Sequence, residues 1–414
     1  RGAGKIVWHR KFIGLIARKR FKRFNVTMAL NRFFVDKEPM AEKKLAVIVA
    51  SLAGGGVEQM MIHLVESINE SSNFEAELVV ISDLPPNVSQ HHLPAGWHSA
   101  HFLHKERVLQ GFHSLFKLIR LQQYDVVISA QEHVNLLVSW VLKLIRTPIV
   151  FIPVVHNTLS IKLGKSQKWK DHVLIPLCRF FYPRFQAIGA VSQGVKEDLV
   201  QFLGVPANHI HILPNPVLKL QNAGEIDKAD EKPGKADFGG ILAMGRLVPE
   251  KGFDVLLRAY AQVAQEVAVP LIIVGEGPER ESLVKLIKEL GLEDTVSLPG
   301  FIESPWQHFQ QAKLFVLSSR EEGLPTVLIE ALAQGIPVIS TDCPSGPREI
   351  LQDGKVGRLV PVDNVEALAQ AIRETLNQTT FSSKYSIQSA MRYSYRNSRE
   401  AYLDMISKLE ERYA

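Results

Sequence analysis

Two doubly wound α/β domains in tandem are what this sequence predicts, and three observations carry that reading. Short runs of β-branched and other apolar residues alternate with segments of helix length, the pattern of a parallel sheet covered on both faces. The alternation breaks at the polar stretch 218–237 and then restarts. A chain of 414 residues also has room for two or three domains at roughly 150 residues apiece.

Taken in order, residues 1–40 stand apart as a basic arm. They hold eleven Lys and Arg against two acidic residues, whereas the rest of the chain holds 37 basic and 41 acidic ones. The net charge of +5 therefore comes from an arm attached to a mildly acidic body, which argues against a nucleic-acid binder. The arm's longest apolar run, Phe12 to Ala17, is too short for a signal peptide. A disordered leader, or sequence upstream of a start at Met40, is the expectation; contact with anionic lipid head groups is the alternative use of such an arm.

Residues 41–217 are expected to form the first domain. LAVIVAS (45–51) reads as a strand, breaks at Gly54-Gly55-Gly56 and passes into helical spacing at Met61, Leu64 and Val65. AELVVIS (76–82), DVVIS (125–129), IVFIPVV (149–155) and AIGAVS (187–192) are further buried-strand candidates. Beyond the linker, residues 238–385 repeat the pattern. GGILAMG (239–245) leads to a helix from Gly252, PLIIVG (270–275) to one from Pro278, and KLFVLS (313–318) to one from Pro325, before a last strand IPVIS (336–340). Residues 386–414 read as one amphipathic helix, a candidate to cross back to the first domain, with Tyr395, Ala401, Leu403, Met405 and Leu409 as apolar positions.

Composition bounds the function. Apolar residues make up 46% and charged residues 22%, which excludes wholesale disorder. No window approaches the roughly 18 apolar residues that a membrane-spanning helix needs. Cys178 and Cys343 are too few for a disulfide framework or a cysteine metal site, and a reducing compartment is expected.

Open α/β sheets bind ligands at the carboxyl ends of their strands, so the loops there hold the candidate site. EEGLPTVLIE (321–330) sets Glu322 and Glu330 eight apart around Gly323 and Pro325. Pro325 suits the first turn of a helix, and Gly323 lets a ligand approach the backbone. The free N–H groups and positive dipole end of such a helix suit a diphosphate. Carboxylates beside it suit hydroxyl groups, Glu322 for a sugar and Glu330 for a ribose diol; the plainer reading makes one a cap and the other a surface charge. GRLVPEKG (245–252) places Arg246 and Lys251 in one loop before a helix, where two cations can neutralise a leaving diphosphate. VGEGPER (274–280) has Gly275 and Gly277 but no third glycine, an incomplete dinucleotide fingerprint.

Together these segments resemble the retaining glycosyltransferases of family 4, with the two-Rossmann GT-B fold and of the bacterial surface-polysaccharide and lipopolysaccharide type. The resemblance covers residues 45 to about 380. It runs in order through SLAGGGVE (51–58), VVHN (154–157), AVSQGVKEDL (190–199), ILPNPV (212–217), GRLVPEKG, VGEGPER, LPGFI (298–302), EEGLPTVLIE and IPVISTDCPSGPREIL (336–351). It implies that Arg246 and Lys251 hold the donor diphosphate with backbone N–H groups of Thr326 and Val327. It further implies that Glu330 binds the nucleotide ribose and that Glu322, Gly323 and Leu324 hold the transferred sugar. Gly55 and Gly56 would let the first-domain loop approach the donor phosphate, and His156 would reach the sugar near the bond that breaks, unless it is a satisfied core histidine. The loop Cys343–Glu349 receives no role.

The implied reaction moves a hexose or N-acetylhexosamine from a nucleotide sugar, expected to be UDP-linked, to a glycan or lipid-linked acceptor with retention. No Asp-x-Asp motif occurs, so no metal and no cofactor is expected. Nucleic acid is not an expected partner, and the location expected is the cytoplasm, peripheral on the inner face of the membrane. A Rossmann-type nucleotide-dependent oxidoreductase and a non-catalytic nucleotide-binding relic are the competing readings.

Overall fold

The continuous apolar runs become the inner strands of two parallel sheets. The computed structural model describes residues 43–413, apart from 53–54, 71, 84–92, 94–96, 98, 146, 165–168, 220–238, 303–305 and 379–381. The basic arm and nearly all of the expected linker lie outside the described residues. The first sheet contains β1 (Lys43–Val49), β2 (Phe74–Ser82), β3 (Ala100–Lys105), β4 (Val126–Ala130), β5 (Val150–Val155), β6 (Ile188–Ala190) and β7 (Ile210–Ile212). The second contains β8 (Ile241–Met244), β9 (Leu271–Val274), β10 (Val296–Gly300), β11 (Leu314–Leu317), β12 (Val338–Thr341) and β13 (Arg358–Val360). Their orders are β3-β2-β1-β4-β5-β6-β7 and β10-β9-β8-β11-β12-β13. The doubly wound fold read from the sequence is what the structure has.

Each sheet reverses its order once, between β1 and β4 in the first and between β8 and β11 in the second, and a crevice opens at the carboxyl ends of such strands. All nine segments read as strands are strands, with ends shifted by a residue or two. The helices expected from Gly252, Pro278 and Pro325 begin at Phe253, Arg280 and Thr326.

One apolar core links the two halves. Leu45, Val47 and Val154 belong to the same buried cluster as Leu324, Leu328 and Ile350, while Ile241, Leu256 and Ile372 form a second cluster on the other face of the second sheet. The single helix expected over 386–414 is two, Ser383–Ala390 and Tyr395–Tyr413, joined by a tight turn at Met391–Tyr393. The break has a local cause. Val217 and Leu218 donate their N–H groups to the Tyr393 carbonyl, and the Tyr395 N–H returns to Leu218, so this backbone serves the crossover and not a helix. Past it, Tyr395–Tyr413 lies on the first-domain helix Gly56–Glu70. Ser67 Oγ donates to the Tyr395 carbonyl at 2.8 Å, Arg399 donates to the Ser67 carbonyl at 2.9 Å, and Tyr402, Met405 and Ile406 are buried. Among the described residues no helix is long and apolar enough to cross a membrane.

Candidate active site

β8 and β11 are neighbours, so the loops that follow them lie side by side. After β8 the chain passes Gly245 and Arg246 into the turn Pro249–Lys251. After β11 it runs through Ser318 to Pro325 into the helix Thr326–Ala333. Lys251 Nζ sits 2.6 Å from Glu322 Oε1, with the two side chains 20% and 9% exposed. Ser319 Oγ donates to the same Oε1 at 2.6 Å, and Ser318 Oγ donates to the Lys251 carbonyl at 2.9 Å. Glu322 Oε2 receives no hydrogen bond from the described residues.

Arg320 locks the two loops together. Its guanidinium donates to both oxygens of Asp254 at 2.9 and 2.8 Å, to Asp363 at 2.6 Å and to the Pro249 carbonyl at 2.6 Å, while its own N–H reaches the Glu250 carbonyl at 2.7 Å. Burial alone would raise the Asp254 carboxyl; the hydrogen bonds and charge of Arg320 outweigh it and hold the group below the usual carboxylate range. Sequence reading missed Ser319 and Arg320. Their signal is the polar Ser-Ser-Arg following an apolar strand at a switch point.

Arg246 is exposed, and no ion pair or hydrogen bond engages its guanidinium among the described residues. Of the two cations expected to converge, one is therefore unengaged and the other is tied to Glu322. Pro325 is the residue just before the helix, one position earlier than expected. Thr326 and Val327 open the helix, half-buried, so their N–H groups lie ahead of any carbonyl four residues back. Glu330 follows one turn later. Its half-buried carboxylate accepts no hydrogen bond from the described residues, and burial pushes its pKa up to about 7.

The first domain meets this wall at Gly323. A Cβ there would lie 1.9 Å from the His156 carbonyl oxygen and 3.3 Å from Asn157 Cα, so only glycine permits the approach. The close partner is the backbone that follows β5, in addition to any ligand. His156 is thereby brought to the Glu322–Leu324 segment; its own side chain is 7% exposed, and Leu324 is buried. Gly56 begins the helix after β1, with open space where a Cβ would stand, and Gly55 precedes it. Gly275 has a packing reason: a Cβ there would lie 1.9 Å from the Gly245 carbonyl oxygen. That accounts for the VGEGPER glycines without a dinucleotide. Among the described residues no cluster of three His, Cys, Asp or Glu could hold a metal ion.

Comparison with known proteins agrees with this architecture. Residues 54–217 match the family described as Glycosyltransferase Family 4, and residues 225–392 match Glycosyl transferases group 1. A Campylobacter jejuni N-acetylgalactosaminyltransferase acting on an N-acetylgalactosamine-N,N'-diacetylbacillosaminyl-diphospho-undecaprenol is 29% identical over 351 residues, covering 83% of this chain and 93% of that protein. The lipopolysaccharide 1,6-galactosyltransferase of Salmonella typhimurium is 34% identical over 175 residues, covering 41% of this chain and 46% of its own length. The crystal structure of Anabaena HepE in complex with UDP superposes with a TM-score of 0.70 at 20% identity, covering 88% of this chain and all of that one. Two family matches laid end to end over most of the chain, on two sheets of this topology, lead to one statement: the chain belongs to the family 4 glycosyltransferases and has their two-domain GT-B fold.

Proposed function

We propose that the chain transfers a hexose or N-acetylhexosamine from a UDP-sugar to a glycan or lipid-linked acceptor, with retention and without a metal ion. The observation that carries this reading is Glu330, a carboxylate burdened by burial and left without a donor one turn inside a helix whose N-terminus faces the crevice. A ribose diol supplies the two missing O–H donors. The diphosphate then falls to the N–H groups of Thr326 and Val327, to Arg246 and to Lys251, with Gly55 and Gly56 leaving room for it from the first domain. Glu322 is fixed through Oε1 by Lys251 and Ser319, and Oε2 is left for a sugar hydroxyl beside Gly323 and Leu324. His156 borders the same segment.

The chemistry follows from those charges. The bond from the anomeric carbon to the diphosphate oxygen breaks with its electron pair going to UDP. The acceptor oxygen forms its new bond on the same face, and its proton passes to the departing phosphate. Arg246, Lys251 and the helix N-terminus stabilise the charge that grows on the diphosphate, the work a divalent ion does elsewhere. The named activities of the Campylobacter and Salmonella relatives support a lipid-linked or lipopolysaccharide acceptor. The test incubates the protein with UDP-glucose, UDP-galactose and their N-acetylated counterparts in EDTA, and reads UDP release and product anomer by NMR. Turnover that survives EDTA and yields an α-linked product supports the reading; an absolute need for Mn²⁺ or inversion to the β-anomer overturns it.

The same reading sets the protein in the cytoplasm at the inner face of the membrane. Exposed Phe180 and Leu144 support this, grouped with Lys143, which lies 4.6 Å over the Phe181 ring, and with Arg184 over Phe180 at 3.9 Å. Sedimentation with phosphatidylglycerol vesicles is expected, weakening as salt rises, and Phe180→Ser with Arg184→Ser should abolish it. Equal binding to neutral vesicles would refute the electrostatic part.

A further inference from the structure

The loop Cys343–Glu349, which the donor site does not use, meets the first domain at a buried polar knot. The first-domain helix Gln193–Leu203 begins at Ser192, whose Oγ accepts the Val195 N–H at 3.2 Å. The same Oγ lies 2.8 Å from Ser345 Oγ and 3.1 Å from the Gly323 carbonyl oxygen, and Ser345 Oγ is 2.9 Å from that carbonyl. Ser192 is 0% and Ser345 3% exposed, so water does not complete the set. Each hydroxyl has one proton. Two protons serve three oxygen–oxygen contacts, and leaving the longest of them, Ser192 Oγ to the Gly323 carbonyl at 3.1 Å, without a hydrogen gives one direction: Val195 N–H to Ser192, Ser192 O–H to Ser345, Ser345 O–H to the Gly323 carbonyl.

Two neighbours fix how near the domains come. Gln193 N–H donates to Glu349 Oε2 at 2.7 Å, so a second-domain carboxylate satisfies an N-terminal N–H of a first-domain helix. A Cβ at Gly194 would lie 2.7 Å from Ser345 Oγ and 3.0 Å from the Pro344 carbonyl oxygen, so a larger residue holds the two surfaces apart.

We propose that Ser192 and Ser345 are positioning residues for transfer: one hydroxyl from each domain, acting in series, fixes the Gly323 carbonyl and so sets the Glu322–Leu324 segment in its working geometry only when the domains are together. This rests on the reading of that segment as the sugar-holding loop. Arg246, Glu330, Thr326 and Val327 all belong to the second domain, so nucleotide binding does not need the relay. Ser345→Ala and Gly194→Ala should therefore lower kcat for UDP-sugar turnover about tenfold, the equivalent of one buried hydrogen bond, with the calorimetric Kd for UDP changed by less than about twofold. Ser192→Thr keeps both the hydroxyl and the helix cap and should stay near wild type.

The experiment uses the full chain and pairs that kinetic split with amide hydrogen exchange. Ser345→Ala should speed exchange in two separate segments, 192–195 and 321–325, with the rest unchanged. Faster exchange confined to 343–349, unchanged turnover, or a UDP affinity that falls in parallel with kcat would each overturn the relay. A wild-type protein that fails to bind UDP defeats the donor reading instead, and the exchange result still decides whether the serines couple the two segments.

Discussion

Arg246→Ala is expected to slow single-turnover transfer at saturating donor by about 10²–10³-fold, the scale of one lost preorganised electrostatic donor. Negative charge on the diphosphate grows as the glycosidic bond breaks, so a contact there tightens in the transition state and its loss appears in kcat as well as in donor affinity. Arg246 is exposed and engages no other described residue, so its removal should leave thermal stability unchanged. Lys251 differs, because its ammonium also neutralises Glu322 at 2.6 Å. Lys251→Ala should cost a similar factor in rate and, in addition, about 2 kcal/mol of stability, since a mostly buried carboxylate loses its cation. Lys251→Met with Glu322→Gln should restore the stability and not the rate. Lys251→Arg should rescue only in part, because a planar fork replaces a compact charge. The Arg246→Ala, Lys251→Ala double variant should lose less than the product of the two single losses, both acting on one diphosphate. A rise in KM at wild-type kcat would show that these residues hold only the ground state.

Glu330→Gln is expected to make the free protein more stable above neutral pH while weakening its hold on UDP. Burial raises the folded-state pKa from 4.5 to about 7. The stability this group supplies is therefore complete below the unfolded value and disappears as pH rises through about 7, where the native state must carry an unpaired charge. A neutral amide avoids that penalty, and about 2 kcal/mol should return at about pH 8. Two O–H donors from a ribose favour the ionised carboxylate, so binding below neutrality must expel a proton. UDP affinity should rise with pH towards about 7 and then level, and Glu330→Gln should flatten the rise. The titration of the nucleotide's own phosphate is common to both proteins and cancels in the comparison. Glu330→Ala should lose about 1.5–3 kcal/mol of binding and Glu330→Gln less. Identical pH curves for wild type and Glu330→Gln would remove the ribose from this carboxylate.

The sequence discloses the inner strands and conceals the outer ones, for a physical reason. Inner strands such as β4 and β11 are buried on both faces and read as unbroken apolar runs. The strands it did not reveal, β3, β7, β10 and β13, are the four edges of the two sheets. AHFLHK has no fully buried position, VSLPG alternates exposed positions with buried or half-buried ones, and IHI and RLV are too short to register. Among the candidate site residues, positions set by a local pattern were legible: Arg246, Lys251 and Glu322 fall in loops and Glu330 one turn inside a helix, as the flanking strands and Pro325 suggest. Residues whose meaning lies in a distant partner were not. Gly323 looked like room for a ligand, and only the fold brings the His156 carbonyl against it. Ser192 and Ser345 are 153 positions apart, and no spacing rule joins them. The glycines of VGEGPER read as an incomplete dinucleotide fingerprint, and only the fold shows Gly275 against the Gly245 backbone and Gly277 against that of Leu247.

The helix Tyr395–Tyr413 has a consequence for how the chain comes to be folded. It seals the first domain, yet the bond from Ser67 to the Tyr395 carbonyl spans 328 positions. During synthesis the first sheet can assemble early, but the face of Gly56–Glu70 that receives Tyr402 and Met405 stays bare until the whole second domain has been made. Nascent first domains therefore wait with an open apolar surface, a state that binds chaperones and self-associates. Such long-range closure also slows the final step. Supplying the segment 383–413 as a separate peptide to a chain ending at residue 382 should accelerate recovery of the native fold, because it replaces a search across the length of the protein with a docking event.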